Sequence, residues 1–284
     1  MLTFFTELWG YPFLVNAVAA SVLASVAAGV TGSLVVVRRS TYLAGAVSHS
    51  VLAGLGLARL LQRRFGFEGL TPMMGAVLVA VLVAVLTARL SVRGRQRADT
   101  VLSAVWTGGM AVGISFVAAT PGYQDDLMSY LFGSILLVSG ADLAWMAAMD
   151  VLILGVMATC YNRFLAIAFN EELARLRGVN TAAYELAYHL LTALTVVLLV
   201  RVVGIVLAIA LLTLPAAAAG IGVLVSVAGL ALSYGPGWPP GATIVELAVV
   251  VYLVVAAFRS RQDARSGRGG AAGGKDQVGS ITSQ

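Results

Sequence analysis

The sequence is poor in charge for its length. Only 11% of its 284 residues are Asp, Glu, Lys or Arg, and 60% are hydrophobic. A soluble domain carries about 25% charged and about 45–50% apolar residues. The composition therefore excludes an ordinary soluble protein and predicts one membrane domain. The formal net charge is +5, but the basic residues stand in short clusters between apolar runs, which indicates membrane topology and no nucleic-acid partner.

Cysteine and lysine are scarcer still. The single cysteine, Cys160, lies in an apolar run, so neither a disulfide framework nor a thiolate metal cluster is available. The single lysine, Lys275, nearly completes a phosphate-binding loop that starts at Gly269, but Asp276 stands where Ser or Thr should bind Mg²⁺. We therefore expect no ATP-hydrolysing domain of that type and no resident cofactor in this chain.

Long apolar runs are abundant and predict an all-α, polytopic transmembrane bundle. About 20 apolar residues cross the hydrocarbon as a helix. Suitable runs cover 12–37, 42–61, 71–90, 100–119, 142–161, 183–200, 202–233 and 243–258. If 202–233 crosses twice, turning near Gly220, there are nine spans; otherwise there are eight. The run 127–138 is too short to span and is predicted to be a re-entrant segment or half-helix.

The distribution of basic residues predicts the orientation. No Lys or Arg precedes Arg38, so no cleavable signal peptide is expected. With the N-terminus outside and nine spans, fourteen of the eighteen basic residues fall in cytoplasmic segments, as the positive-inside rule requires. Residues 1–258 are therefore predicted to form one transmembrane domain, with the N-terminus outside and the C-terminus in the cytoplasm. The Gly/Ser-rich residues 259–284 are predicted to be a disordered cytoplasmic tail.

The loop between the fifth and sixth spans, FNEELARLRGVN at 169–180, predicts a short capped helix. Asn170 is a favourable N-cap, and the acidic and basic residues stand at the ends that a helix dipole prefers. Gly178 suits the left-handed position after the helix. Such a helix is expected to receive force from a soluble partner, whereas an ordinary surface turn is the alternative. Its candidate coupling residues are Asn170, Glu171, Glu172, Leu173, Ala174, Arg175, Arg177 and Gly178.

Both histidines, His49 and His189, fall inside apolar runs. Ionisable residues within a membrane are costly and are functional candidates by default, and a neutral imidazole is a good ligand for zinc or manganese. His49, its neighbour Ser48, and His189 are therefore the candidate metal-ligating residues. Each histidine can alternatively be a hydrogen-bonding group between helices. Asp125 and Asp126 could attract cations at an external mouth, but solvated loop residues explain them equally well.

Four stretches of the chain resemble the permease family of zinc and manganese ABC importers. They are GSLVVVRRSTYLAGAVSHSVLAGLGLA at 32–58, TPGYQDDLMSYLFGSILLVS at 120–139, FNEELARLRGVN, and VVGIVLAIALLTLPAAAA at 202–219. The resemblance implies a homodimer that imports a divalent metal ion, zinc first and manganese second, as its substrate. It also implies a separate cytoplasmic ATP-binding subunit, docked at 169–180, and an extracytoplasmic metal-binding protein in a bacterial or archaeal inner membrane.

The sequence departs from this family at two places. Many members have an aspartate four residues before the histidine of the second span, where this chain has Gly45. The loop after Leu214 and Pro215 is also shorter than is usual. Two other transporter classes stay open: an iron–siderophore or cobalamin ABC permease, and an ion-coupled secondary transporter that works without ATP.

Overall fold

A computed structural model describes residues 6–7, 10–67, 69–93, 98–120, 133, 135–213, 218–234 and 236–273. Within these ranges the chain is helical and contains no strand. The helices are α1 (Pro12–Val37), α2 (Thr41–Phe65), α3 (Pro72–Arg93), α4 (Ala98–Ala118), α5 (Gly140–Phe169), α6 (Glu171–Leu176), α7 (Thr181–Thr213), α8 (Ala218–Tyr234) and α9 (Pro240–Gly273), with a 3₁₀ turn at Ile135–Leu137.

Seven helices are long and apolar enough to cross a membrane, counted over the described residues. They coincide with the six predicted spans up to residue 200 and with the last predicted span. The predicted polytopic all-α bundle is therefore confirmed. The crossings predicted for 202–233 correspond to two shorter apolar helices, Val203–Thr213 and Ile221–Tyr234, which are shorter than the roughly 20 residues that a full crossing needs.

The predicted division of 202–233 into two helices is present, but the break between them lies a few residues before Gly220, because residue 220 is inside α8. Two features bound the first of these helices. Gly204 breaks α7 with φ 80° and ψ 169°, a conformation that only glycine adopts readily, so the span ends near Arg201. The link between α7 and α8 falls on residues 214–217, which include Leu214 and Pro215 and lie outside the described residues.

Two further predictions fall largely outside the described residues. Of the predicted re-entrant run 127–138, only Gly133 and residues 135–138 are described, and Ile135–Leu137 forms the 3₁₀ turn. Helix α9 continues to Gly273, past the predicted domain boundary at 258, and residues 274–284 are not described. That boundary and the disorder of the tail stay predictions.

Helix α2 is the central element of the bundle. It packs against α3, α4 and α7, and 78% of its most apolar 18-residue stretch is buried. The contact with α3 is made at backbone distance, since a Cβ on Gly54 would lie 2.2 Å from the Gly75 carbonyl oxygen. Small residues allow this close approach, which drives helix association where lipid gives no hydrophobic advantage.

Two ion pairs define the opposite ends of the bundle. At one end, called here the Arg38 end, Arg38 in the corner between α1 and α2 pairs with Glu185 near the start of α7. At the other, the Arg201 end, Arg201 lies 3.2 Å from Asp142, in the first turn of α5. Helix α5 has 30 residues and is about 45 Å long, whereas the hydrocarbon is about 30 Å thick. It is therefore longer than the hydrocarbon is thick, and it leads into α6 at the Arg38 end of the bundle.

Candidate functional site

Helix α6 is capped at both ends, as the sequence predicts. The Leu173 amide donates to Asn170 Oδ1 at 2.9 Å, and Arg175 forms an ion pair with Glu171 at 2.7 Å. After the C-cap residue, Arg177, Gly178 adopts φ +80°. The Gly178 and Val179 amides donate to the carbonyls of Arg175 and Ala174, which is a Schellman motif. Glu172 shares the first turn with Glu171, where negative charge is favourable.

Three large apolar side chains are exposed on and just before α6, among its charged residues. Leu176 is 84% exposed and Leu173 46% exposed, and Phe169, just before the helix, is 79% exposed. Ala174 is buried on the opposite side and fixes the helix to the bundle. Exposed apolar groups grouped on one small element are typical of a surface that another protein covers.

The helix that follows α6 is tied directly to the corner that leads into α2. Asn180 caps α7 by accepting from the Ala183 amide. One turn later, Glu185 binds Arg38 at 2.5 Å. Ser40 and Tyr188 are hydrogen-bonded through their hydroxyl groups, and the Arg38 guanidinium lies 4.5 Å from the centroid of the Tyr188 ring. These contacts connect the start of α7, which follows α6, to the start of α2, the helix that carries His49.

His189 belongs to this cluster at the Arg38 end. Its Nδ1 lies 2.9 Å from the Glu185 carbonyl oxygen and 3.5 Å from Glu185 Oε1. Its ring meets the Tyr188 ring edge-on at 5.5 Å. These contacts all lie within α7, so a hydrogen bond between helices, the alternative interpretation from sequence, also stays a prediction. A role as a metal ligand stays a prediction.

Replacing Arg38 with Met is expected to destabilise the protein by about 3 kcal/mol, because Glu185 would be left largely buried without its ion partner. The Arg38→Met/Glu185→Met double variant should lose less than the two single variants together. Thermal unfolding of the purified protein in detergent measures these differences. Arg175→Met is the matched control, because it breaks an exposed i,i+4 pair worth about 0.5 kcal/mol or less. Additive losses in the double variant would contradict the coupling.

The candidate ligands Ser48 and His49 have different environments. Ser48 is fully buried, and its Oγ has no hydrogen-bond partner among the described residues. His49 is half-buried, and within the described part of the chain neither ring nitrogen is hydrogen-bonded. Its ring is stacked on Trp106 of α4, with the ring centroids 4.6 Å apart. Of the two residues, only His49 has a side-chain atom that could bind a metal ion and is not fully buried.

The described residues contain no group of three or more His, Cys, Asp or Glu side chains that could hold a metal ion. His49 and His189 also contact different partners, so the structure does not join them in one site. A single accessible imidazole suits transient contact with a passing ion better than a resident metal, because an ion that is held too tightly cannot leave.

A cavity of about 850 Å³ opens between α2, α3, α5 and α7 at the Arg201 end. Charged groups from Arg59, Asp142 and Arg201 line it together with Met73 and Trp145. Asp142 is held by Ser139 in a capping box and by Arg201. The cavity is large enough to admit a hydrated ion. Asp125 and Asp126, the carboxylates predicted at a mouth, lie outside the described residues.

Three functional candidates were missed from sequence. Trp106 contacts His49 on another helix, and Glu185 pairs with Arg38 on another segment. Sequence spacing does not reveal such contacts; the one available signal was that Glu185 precedes His189 by one helical turn. Asp150 is 4% exposed in the middle of α5, and neither carboxylate oxygen is hydrogen-bonded to a described residue. A carboxylate buried within the membrane is costly and is a functional candidate by default.

Comparisons with known proteins agree with this architecture. Residues 10–259 match the model of the ABC 3 transport family. A protein of Chlamydia pneumoniae named "probable metal transport system membrane protein" is 31% identical over 84% of this chain and 86% of its own length. The "manganese transport system membrane protein MntC" of Listeria innocua is 26% identical over 92% of this chain and 96% of its own. A solved chain of PsaBC from Streptococcus pneumoniae superposes with a TM-score of 0.77 at 26% identity, covering 89% of this chain and 95% of that one.

Proposed function

The chain belongs to the ABC 3 transport family, the permease family of metal-ion ABC importers, and we propose that it forms the membrane path of an ATP-driven importer of zinc or manganese. It is a multi-pass membrane protein with seven helices of spanning length among its described residues. Membership in an ABC family removes the secondary transporter as an interpretation. A permease of this kind performs no covalent chemistry: a partner's ATP cycle biases inward-open against outward-open states.

The observation that carries this proposal is the exposed, end-stabilised helix α6. The partner we propose for it is a separate ATP-binding subunit. The apolar side chains of Phe169, Leu173 and Leu176 form the contact surface, and the caps at Asn170 and Gly178 make the helix rigid enough to transmit a push. The Arg38–Glu185 pair would carry that push towards α2.

Zinc is the first choice of cargo and manganese the second. His49 offers an imidazole, which suits zinc, whereas manganese prefers carboxylate and other oxygen ligands. The side chain stacked on His49 is the indole of Trp106, which offers no oxygen ligand to manganese. The Listeria relative is named as a manganese system, which keeps manganese in the proposal.

The orientation follows from the same assignment. Helix α6 and the Arg38 end face the cytoplasm, and the cavity at the Arg201 end faces outside, where an extracytoplasmic metal-binding protein would deliver the ion. The N-terminus is then outside and the C-terminal tail inside, in a bacterial or archaeal plasma membrane. A second copy of the chain would complete the path, because one copy contributes a single accessible imidazole.

Uptake by vesicles tests the proposal. The chain is reconstituted with its ATP-binding subunit and binding protein, and entry of ⁶⁵Zn²⁺ and of ⁵⁴Mn²⁺ is measured with ATP and with a non-hydrolysable analogue. The proposal expects ATP-dependent entry of at least one of these ions. Equal entry with both nucleotides, or entry of neither ion, would overturn it.

A further inference from the structure

The indole of Trp106 lies against the backbone of Gly45, in the space that the side chain of any other residue at that position would fill. A Cβ on Gly45 would stand 2.3 Å from Trp106 Cζ3, 2.8 Å from Cη2 and 2.9 Å from Cε3. These distances are far below van der Waals contact, so any side chain at residue 45 would displace the indole. Gly45 and Trp106 therefore depend on each other.

The backbone that carries Trp106 is held firmly on α2. One turn after Trp106, a Cβ on Gly109 would lie 2.4 Å from Ser50 Oγ, and one on Gly113 would lie 2.8 Å from the Ala53 amide nitrogen. Ser50 also donates to the Val105 carbonyl oxygen at 3.2 Å. Close contact over two turns fixes the position of α4 relative to α2, and with it the origin of the Trp106 side chain.

The indole spans one helical turn of α2, from Gly45 to His49. The two rings are inclined by 21° with their centroids 4.6 Å apart, and Tyr42 meets the indole edge-on at 6.4 Å. One face of the imidazole is therefore covered, whereas neither ring nitrogen of this half-buried residue is among the fully buried side-chain atoms that lack a hydrogen-bond partner.

This stack replaces the usual means of orienting a metal-ligating histidine. Such a histidine normally donates its second ring N–H to a carboxylate or a carbonyl group, which fixes the ring. No described residue bonds to either nitrogen of His49. The indole face restricts the ring instead, and it also favours the positive charge that an imidazole gains when it binds a cation.

We propose that Trp106 is the positioning residue of His49, and that the Gly45–Trp106 contact sets how tightly this chain holds the passing divalent metal ion. The inference rests on the proposed function. Without the indole, the imidazole turns freely and the ion is bound less often in the geometry that leads to transfer.

Uptake kinetics with whichever of Zn²⁺ and Mn²⁺ the wild type transports test this role. Trp106→Ala should raise the KM for the ion by about tenfold, as expected for loss of a residue that orients a ligand, and should leave the maximal rate within about twofold. Trp106→Phe should restore most of the affinity, because a phenyl ring can also stack. Gly45→Ala should reproduce the effect of Trp106→Ala. Gly108→Ala is the matched control on α4, because a Cβ there meets nothing within 4 Å.

Fluorescence gives a readout that does not depend on transport. In a chain with Trp9, Trp145 and Trp238 replaced by Phe, Co²⁺ should quench Trp106 emission saturably, and His49→Ala should abolish the quenching. If the wild type transports either ion but Trp106→Ala keeps the wild-type KM for that ion, or if quenching survives His49→Ala, the inference is wrong. If the wild type transports neither zinc nor manganese, the proposed function fails instead.

Discussion

Replacing His49 with Ala is expected to lower ATP-dependent zinc uptake at least about tenfold, because the only accessible imidazole of the described membrane domain is removed. The residue is half-buried, and the substitution removes its stack on Trp106 but no hydrogen bond to a described residue. ⁶⁵Zn²⁺ entry into reconstituted vesicles measures the effect, and size-exclusion chromatography checks that the transporter still assembles.

His189→Ala is the matched control for this experiment. Its imidazole is engaged with Glu185 at the Arg38 end, so its loss should change stability more than the KM for the ion. Unchanged uptake in His49→Ala would remove His49 from the path. An equal rise in KM for both variants would instead place both histidines on it.

Replacing Gly178 with Pro is expected to abolish copurification of the ATP-binding subunit. Gly178 has φ +80°, whereas proline is restricted to about −65°. The substitution also removes the amide that donates to the Arg175 carbonyl. A proline whose native φ is incompatible costs more than about 1 kcal/mol, which is enough to displace so short a helix from its capped position.

Gly66→Pro is the control for Gly178→Pro. Gly66 ends α2 at the opposite end of the bundle, also with a left-handed φ of 64° and with an amide that donates to a helix carbonyl. It should alter local stability and leave binding of the ATP-binding subunit intact. Retention of the subunit by Gly178→Pro, or its loss from both variants, would argue against α6 as the specific docking element.

Local signals made α6 predictable from sequence. Its N-cap, its charged ends and its glycine all act within ten residues, and each is present in the structure as expected. The long spans were equally accessible, because hydropathy over about 20 residues follows from bilayer thickness. These features depend only on residues that are near one another in the sequence and on the thickness of the lipid bilayer.

Contacts between distant segments were not predictable. Arg38 and Glu185 are 147 residues apart, and Trp106 meets Gly45 and His49 only because α2 and α4 pack at backbone distance. The turn within 202–233 was placed a few residues too late, because hydropathy gives no sharp signal for a turn inside a continuous apolar run. Asp150 was passed over because one carboxylate in a long apolar run hardly changes its mean hydropathy.

Site-specific photocrosslinking from residue 176 tests the central claim most directly. In one variant a photoreactive amino acid replaces Leu176, whose side chain is 84% exposed on α6. In a second variant of the same chain it replaces Leu137, which is 81% exposed at the Arg201 end. In membranes that contain the complete transporter, residue 176 should crosslink to the ATP-binding subunit and residue 137 should not. No crosslink from residue 176, or one from residue 137 alone, would contradict the account.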